Sequence, residues 1–302
     1  MDGEYVFVYF KSGDLACLDF DGKILWQKNL QRMFGADTLW WDLGTSPVLT
    51  RELVVIACIQ SEDSYVVAFQ KGSGTLAWKR ARNLGAPLEA AQSYATPIVT
   101  TLGDREQLFI LGADHVTAHN AVDGAEMWRV GGLNPQGEKY FRSISSPVLA
   151  GDLLLAPYAR GTTMTAIRLG GQGDVTESHV EWTRHGIAAD VPTPVFADGR
   201  AYVLKDRGAV TCIETRTGNT LWTGEVEKSR QGFSSSPILA GRHLYITRED
   251  GKTFVLRQGD EFKLVASNTL GEPTYATPVF VNGRILIRTQ EHLYCITRAQ
   301  TR

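Results

Sequence analysis

The sequence has little with which to work by charge, by membrane insertion or by covalent staples. Its 31 Lys and Arg stand against 33 Asp and Glu, a formal charge of -2 at pH 7. The basic excess needed to neutralise phosphates is missing, which excludes nucleic acid as the main partner. No run approaches the ~18 consecutive apolar residues of a membrane span; the longest are short, such as Leu53 to Ile59. Direct membrane insertion is not expected. The opening Met1-Asp2-Gly3-Glu4-Tyr5 has no basic segment, apolar stretch or small-residue cleavage site, so no signal peptide is read in it. Either the protein stays in the cytoplasm or its true beginning lies elsewhere. Amphipathic helical patterns of about ten residues or more are also missing, which removes the helical repeat folds.

What the sequence does contain is apolar and aromatic. Hydrophobic residues make up 43% and aromatics 10%, enough for a packed core and incompatible with wholesale disorder. Thirty glycines punctuate short runs rich in Val, Ile, Leu, Tyr and Phe, so the chain reads as all-β. Runs such as Tyr5 to Phe10 and Leu153 to Ala156 lack clean in-out alternation, which implies strands covered on both faces by stacked sheets.

A repeat organises these strands. Ser46-Pro47-Val48, Thr96-Pro97-Ile98, Ser146-Pro147-Val148, Thr193-Pro194-Val195, Ser236-Pro237-Ile238 and Thr277-Pro278-Val279 recur at proline spacings of 50, 50, 47, 43 and 41. Trp78, Trp128, Trp182 and Trp222 follow four of the prolines by 31, 31, 35 and 28 residues, and Trp26 is a fifth with no proline before it. Residues 192 to 226 show the whole unit: Pro194 to Phe196, a turn, Arg200 to Leu204, a turn, Ala209 to Glu214, a turn at Thr217-Gly218, then Asn219 to Trp222. Four antiparallel strands in roughly 40 to 50 residues is the period of a β-propeller blade.

The length is therefore read as one β-propeller domain, 1–302, of about seven blades near 4–30, 45–80, 95–130, 145–184, 192–226, 235–268 and 276–298. The two terminal blades have three strands each, the first lacking its innermost and the last its outermost. That predicts an imperfectly closed ring or part of an eight-bladed parent. Residues 169 to 182 carry an insertion and 254 to 268 have no Trp, so those blades read as degenerate.

The turn segments Cys17 to Trp26, Ala68 to Trp78, Ala118 to Trp128 and Cys212 to Trp222 resemble the tryptophan-docking repeat of the PQQ-like β-propellers. That group includes the quinoprotein dehydrogenases and the outer-membrane assembly factor BamB. The resemblance covers nearly the whole chain and implies fold more than activity. The chain also looks like the C-terminal part of bacterial PQQ-binding-like β-propeller repeat proteins, in which further blade material and a signal peptide precede this starting point, and that resemblance implies a periplasmic or cell-envelope location. Within the repeat, Trp26, Trp78, Trp128, Trp182 and Trp222 read as structural wedges whose indole N-H finds a backbone acceptor.

Several chemistries were weighed against the residues. Cys17, Cys212 and Cys295 occupy one place in three units, where Ala68, Ala118 and Ala166 stand in others; they read as small buried side chains rather than disulfide partners. The quinoprotein dehydrogenases hold PQQ beside adjacent cysteines with a Ca²⁺; this sequence has no Cys-Cys pair and no segment matching the calcium ligands, so no catalytic residue, metal or cofactor is assigned. No G-x-S-x-G, H-E-x-x-H, C-x-x-C or P-loop is present. His115 and His119, four apart on a strand, would stand about 13 Å apart, too far for one metal.

Binding is expected in the loops that join blades and in the turns at the same end. The candidates are Trp40, Trp41, Asp42, Tyr94, Arg142, Asp190, Phe233 and Tyr275 from the loops and Lys205 and Arg207 from the turns. The bland reading stays open beside it: Tyr94, Phe233 and Tyr275 plug the centre, and Arg142 and Asp190 offset each other's charge. Trp40-Trp41-Asp42 stands out because two adjacent indoles in a loop do not easily both bury. The expected function is a non-catalytic, monomeric propeller that binds a protein or small polar ligand. The alternatives are a PQQ- and calcium-dependent oxidoreductase and a BamB-like component of outer-membrane protein assembly.

Overall fold

The computed structural model describes residues 1–298. Seven sheets are present among them, five with four or five strands and two, the first and the last, with three. The fold is a β-propeller, and each sheet is one blade. Blade five shows the plan: Val195–Ala197, Arg200–Leu204, Ala209–Glu214 and Thr220–Glu225 pair in sequence order as an antiparallel meander.

All six Ser/Thr-Pro dipeptides sit immediately before an innermost strand, which begins at Val48, Ile98, Val148, Val195, Ile238 and Val279. Proline has no N-H to give a ladder, so it takes the position just outside it. The hydroxyl before each proline has its own task. Ser46 N-H donates to Thr96 Oγ1 at 3.1 Å and Thr96 N-H to Ser146 Oγ at 2.9 Å. Further along, Thr193 N-H donates to Ser236 Oγ and Ser236 N-H to Thr277 Oγ1, both at 3.0 Å. In these four pairs the hydroxyl of the later dipeptide satisfies a backbone donor of the earlier one, which accounts for Ser or Thr rather than any small residue at that point.

By contacts the chain divides into two compact units, Met1–Pro147 with Ile167–Val180, and Val148–Ala166 with the residues from Glu181 onward. The first holds blades one to three. One of its cores gathers Leu53, Val55, Ile59, Val66, Trp78, Leu108 and Ile110; another gathers Phe7, Leu15, Cys17, Leu30, Ile56, Val67 and Phe69. The second unit holds blades four to seven, with Tyr202, Leu204, Cys212, Phe233, Leu244, Ile246 and Phe254 in one of its cores.

The tryptophans explain the small residues opposite them. Cys17, Ala68, Ala118 and Cys212 pair directly with Trp26, Trp78, Trp128 and Trp222. A bulge follows each of these pairs, and a larger residue there would compete with the indole for space. The rings of Trp26, Trp78 and Trp182 lie on a glycine of the next blade's turn. A Cβ added to Gly74 would fall 2.6 Å from Trp26 Cδ2, and one on Gly218 2.8 Å from Trp182 Cδ2. Both glycines have positive φ, 65° and 70°, so the turn and the close approach both demand glycine.

Two features depart from the plan. Cys295 is exposed, unlike buried Cys17 and Cys212, because its strand, Leu293–Thr297, is the edge of a three-stranded sheet and pairs with no Trp-bearing strand among the described residues. The insertion at 169 to 182 builds structure of its own: Gly173–Asp174 adds a parallel strand beside Trp128 and Arg129 of blade three. A short helix, Thr176–His179, follows, its first N-H accepted by Asp174 Oδ1 at 3.0 Å.

Candidate functional site

Three loops of the first unit meet. They run from the outer strand of one blade to the inner strand of the next and carry residues 35–47, 82–97 and 131–147. Backbone contacts hold two of them together: Ser93 bridges both Ile59 and Ser143, Tyr94 N-H donates to Ser143 O at 2.7 Å, and Ala90 N-H to Lys139 O at 3.0 Å. A single 3-10 turn, Leu88–Ala91, shapes the middle loop.

Gln92, fully buried, and Tyr94, 5% exposed, form the hub. The Tyr94 hydroxyl donates to Gln92 Oε1 at 2.7 Å, which also accepts the Trp40 N-H at 3.1 Å. Tyr94 Oη accepts the Trp41 N-H at 3.2 Å. Burial pushes the Tyr94 phenol above its ordinary value, so it remains a hydroxyl able to donate and accept at once. The first loop, 35–47, is tied on by Lys11, whose ammonium donates to Trp41 O at 3.0 Å and pairs with Asp37 at 2.6 Å.

Glu89 completes the arrangement. It is 4% exposed, accepts the Trp41 indole N-H at 2.9 Å and lies 3.5 Å from Arg142 Nε. A buried carboxylate is tolerable only with such partners. The Trp41 ring it anchors is nonetheless 61% exposed, and Trp40, Leu88 and Tyr140 of the same three loops are 53%, 50% and 52% exposed. Leu88 has φ 44°, a region uncommon for a branched residue, and this strained backbone turns its side chain outward instead of into the core. The result is an apolar, aromatic surface on rigidly held backbone. Asp42 is exposed at its border.

Of the sequence candidates, the structure thus brings Trp40, Trp41, Tyr94 and Arg142 together. The candidates in the second unit are separate from one another in role. Phe233 is 2% exposed and packs 6.2 Å from Phe254, so its ring belongs to a core. Lys205 donates to Gly186 O and Arg207 to Arg230 O, both holding loop carbonyls. The backbone at Asp190 closes over Gly161, and Tyr275 stands 66% exposed. Four of the five repeat tryptophans are tied across seams: Trp26, Trp78, Trp182 and Trp222 donate to the carbonyls of Lys71, Ala121, Thr215 and Gly259 at 2.7, 3.2, 3.0 and 2.9 Å.

A family sequence model described as "Outer membrane protein assembly factor BamB" matches residues 1–112 and 92–263. The chain belongs to this family. A BamB of Burkholderia pseudomallei (strain K96243) is 25% identical over 298 residues, 96% of this chain and 70% of that protein. The crystal structure of BamB from Moraxella catarrhalis superposes with a TM-score of 0.68 at 16% identity, over 95% of this chain and 79% of the other. A europium-containing methanol dehydrogenase superposes equally well, TM-score 0.69 at 11% identity over 94% of this chain and 71% of the other. That second likeness is one of fold. No group of three or more His, Cys, Asp or Glu able to hold a metal ion is assembled among the described residues of this BamB-family propeller.

Glu89 and Gln92 escape a reading of the sequence. Their neighbours Ala90 and Ala91 look like loop filler, and Trp40, Trp41 and Arg142, which they engage, lie about 50 residues away. A usable signal exists all the same: two long polar side chains just before Tyr94, set among Ala90, Ala91 and Ser93, are candidates for internal acceptors.

Proposed function

We propose that this BamB-family propeller is a non-catalytic binding module of outer-membrane protein assembly in the cell envelope, holding a protein partner against the surface of Trp40, Trp41, Leu88 and Tyr140. One observation carries this reading: Trp40 and Trp41 are more than half exposed while their backbone N-H groups are fixed by buried Gln92 and Tyr94 and the Trp41 indole N-H by buried Glu89. Trp, Tyr and Arg are the side chains that dominate protein interfaces, and rings ordered in advance lose little further freedom on binding. A small polar ligand is a poorer match, since Glu89 and Arg142 are engaged with each other beneath the surface and the exposed part is apolar.

Replacing Leu88 by a photo-crosslinking residue in cells tests this. The proposal expects an adduct that contains an outer-membrane β-barrel protein. Adducts confined to unrelated soluble proteins would contradict it. The same reading expects PQQ with Ca²⁺ to produce no quinone absorbance band on the purified protein and no rise in melting temperature. A band with a raised melting temperature would restore the oxidoreductase alternative.

A further inference from the structure

The two seams that flank blade six are built from equivalent positions and filled differently. Between blades five and six, Tyr202, Cys212 and Trp222 stand in register across three strands. Trp222 lies 5.9 Å from Tyr202 and edge-on to Phe262, also at 5.9 Å, and its N-H reaches Gly259 O. Between blades six and seven the same register holds Tyr245, Val255 and Ala266. An indole has become a methyl group there, and the residue opposite has grown only from Cys to Val.

Among the described residues, no other side chain closes the space. A cavity of about 260 Å³ remains, lined by Tyr245, Val255, Asn268, Phe280, Ile285 and Ile287, with Ile296 at its edge. We propose that this cavity is a binding site for one neutral aromatic ring of indole size. Its volume exceeds the ~150 Å³ of an apolar cavity that takes benzene and falls short of the roughly 300–1,000 Å³ of drug-sized pockets, so it accommodates one ring system. Tyr245 and Phe280, with centroids 4.5 Å apart, give the ring an aromatic wall to pack against. Every lining side chain is uncharged, which disfavours a charged ligand. The Asn268 amide supplies an oxygen for a ring N-H, as carbonyls do for Trp26, Trp78, Trp182 and Trp222.

This inference does not depend on the proposed partner surface, which lies in the other unit. Titration calorimetry and thermal melts of the full chain with indole, and separately with N-acetyltryptophanamide, test it. Saturable 1:1 binding of indole is expected. If N-acetyltryptophanamide binds as well, the ring can arrive on a polypeptide; if only indole binds, the source is a free small molecule. Ala266→Trp restores the repeat's own ring and is expected to weaken indole binding at least tenfold while raising the melting temperature by about 2–4 °C. Ile296 is 41% exposed, so Ile296→Lys is tolerated by the fold and is expected to weaken binding at least tenfold with little change in melting. Absence of saturable binding by both compounds, or unchanged affinity in both variants, overturns the proposal.

Discussion

In the blade seams, Trp78 and Trp182 send their indole N-H to a carbonyl of the next blade and are left 8% and 7% exposed. In the loop hub, Trp41 sends the same N-H to buried Glu89 and keeps its ring 61% exposed. The anchor is alike and the fate of the ring is opposite. A seam indole buries roughly 150–250 Å² and contributes several kcal/mol to the fold at about 25 cal/mol per Å². The hub spends a buried carboxylate, a buried amide and a strained Leu88 on rings that contribute no such burial. Elements that cost the fold without packing it are where function is expected.

The largest effect should come from removing a seam ring. Trp78→Ala is expected to cost about 3–5 kcal/mol in denaturant unfolding; a loss under about 1 kcal/mol would erase the distinction between the regions. Removing the hub's acceptor comes next. Glu89→Ala breaks the buried pair with Arg142 and removes the acceptor of the Trp41 indole N-H, for an expected loss of about 3 kcal/mol. It should also free Trp41, seen as a red shift and lowered anisotropy of tryptophan fluorescence, whereas a packed seam Trp would not respond.

Trp128 sharpens the comparison from within the seams. It is fully buried, yet its Nε1 has no hydrogen-bond partner among the described residues. The insertion at 169 to 182 alters the turn where an acceptor would stand. Trp128→Phe should therefore cost about 1 kcal/mol less than Trp78→Phe, because only the latter loses a made bond. Equal costs would show that the N-H anchor is irrelevant.

A smaller effect is tied to pH. Arg82 Nε donates to Thr117 Oγ1, and His119 Nε2 lies 2.9 Å from that hydroxyl while Nδ1 lies 3.1 Å from Gly124 O. Gly124 is the glycine on which Trp78 rests. Burial holds the His119 imidazole below its ordinary value, so the folded state keeps it neutral while the unfolded chain titrates near ~6.5. The native state then binds fewer protons below that pH. Its stability is complete above about pH 6.5 and falls as pH drops through the lower folded value. Melting temperature should decline from pH 7 to 5, and less steeply in His119→Gln; parallel slopes would contradict this.

Much of this molecule was legible from residue order because its repeat couples local chemistry to packing. The Ser/Thr-Pro dipeptides mark where inner strands begin, and the Trp offsets mark where outer ones end, since proline and indole each fit one place in a blade. The hub was half legible. Adjacent Trp40 and Trp41 announced themselves by bulk, while Glu89 and Gln92 did not, because their meaning lies in loops about 50 residues away. Phe233 and Tyr275 sit at like offsets before their prolines, yet one is core and the other exposed; offset alone does not say which face a loop turns to the solvent. Cys295 shows the same limit, sharing a repeat position with buried cysteines but lying on a sheet edge.

The double variant Trp40→Ala with Trp41→Ala tests the central claim most directly, with melting and partner capture measured on the same preparation. The account predicts a stability loss of about 1 kcal/mol, from the lost Trp41–Glu89 hydrogen bond and well below that of Trp78→Ala, together with loss of the outer-membrane barrel protein from the co-purified material. A substantially lowered melting temperature, or undiminished co-purification with the fold intact, would contradict it.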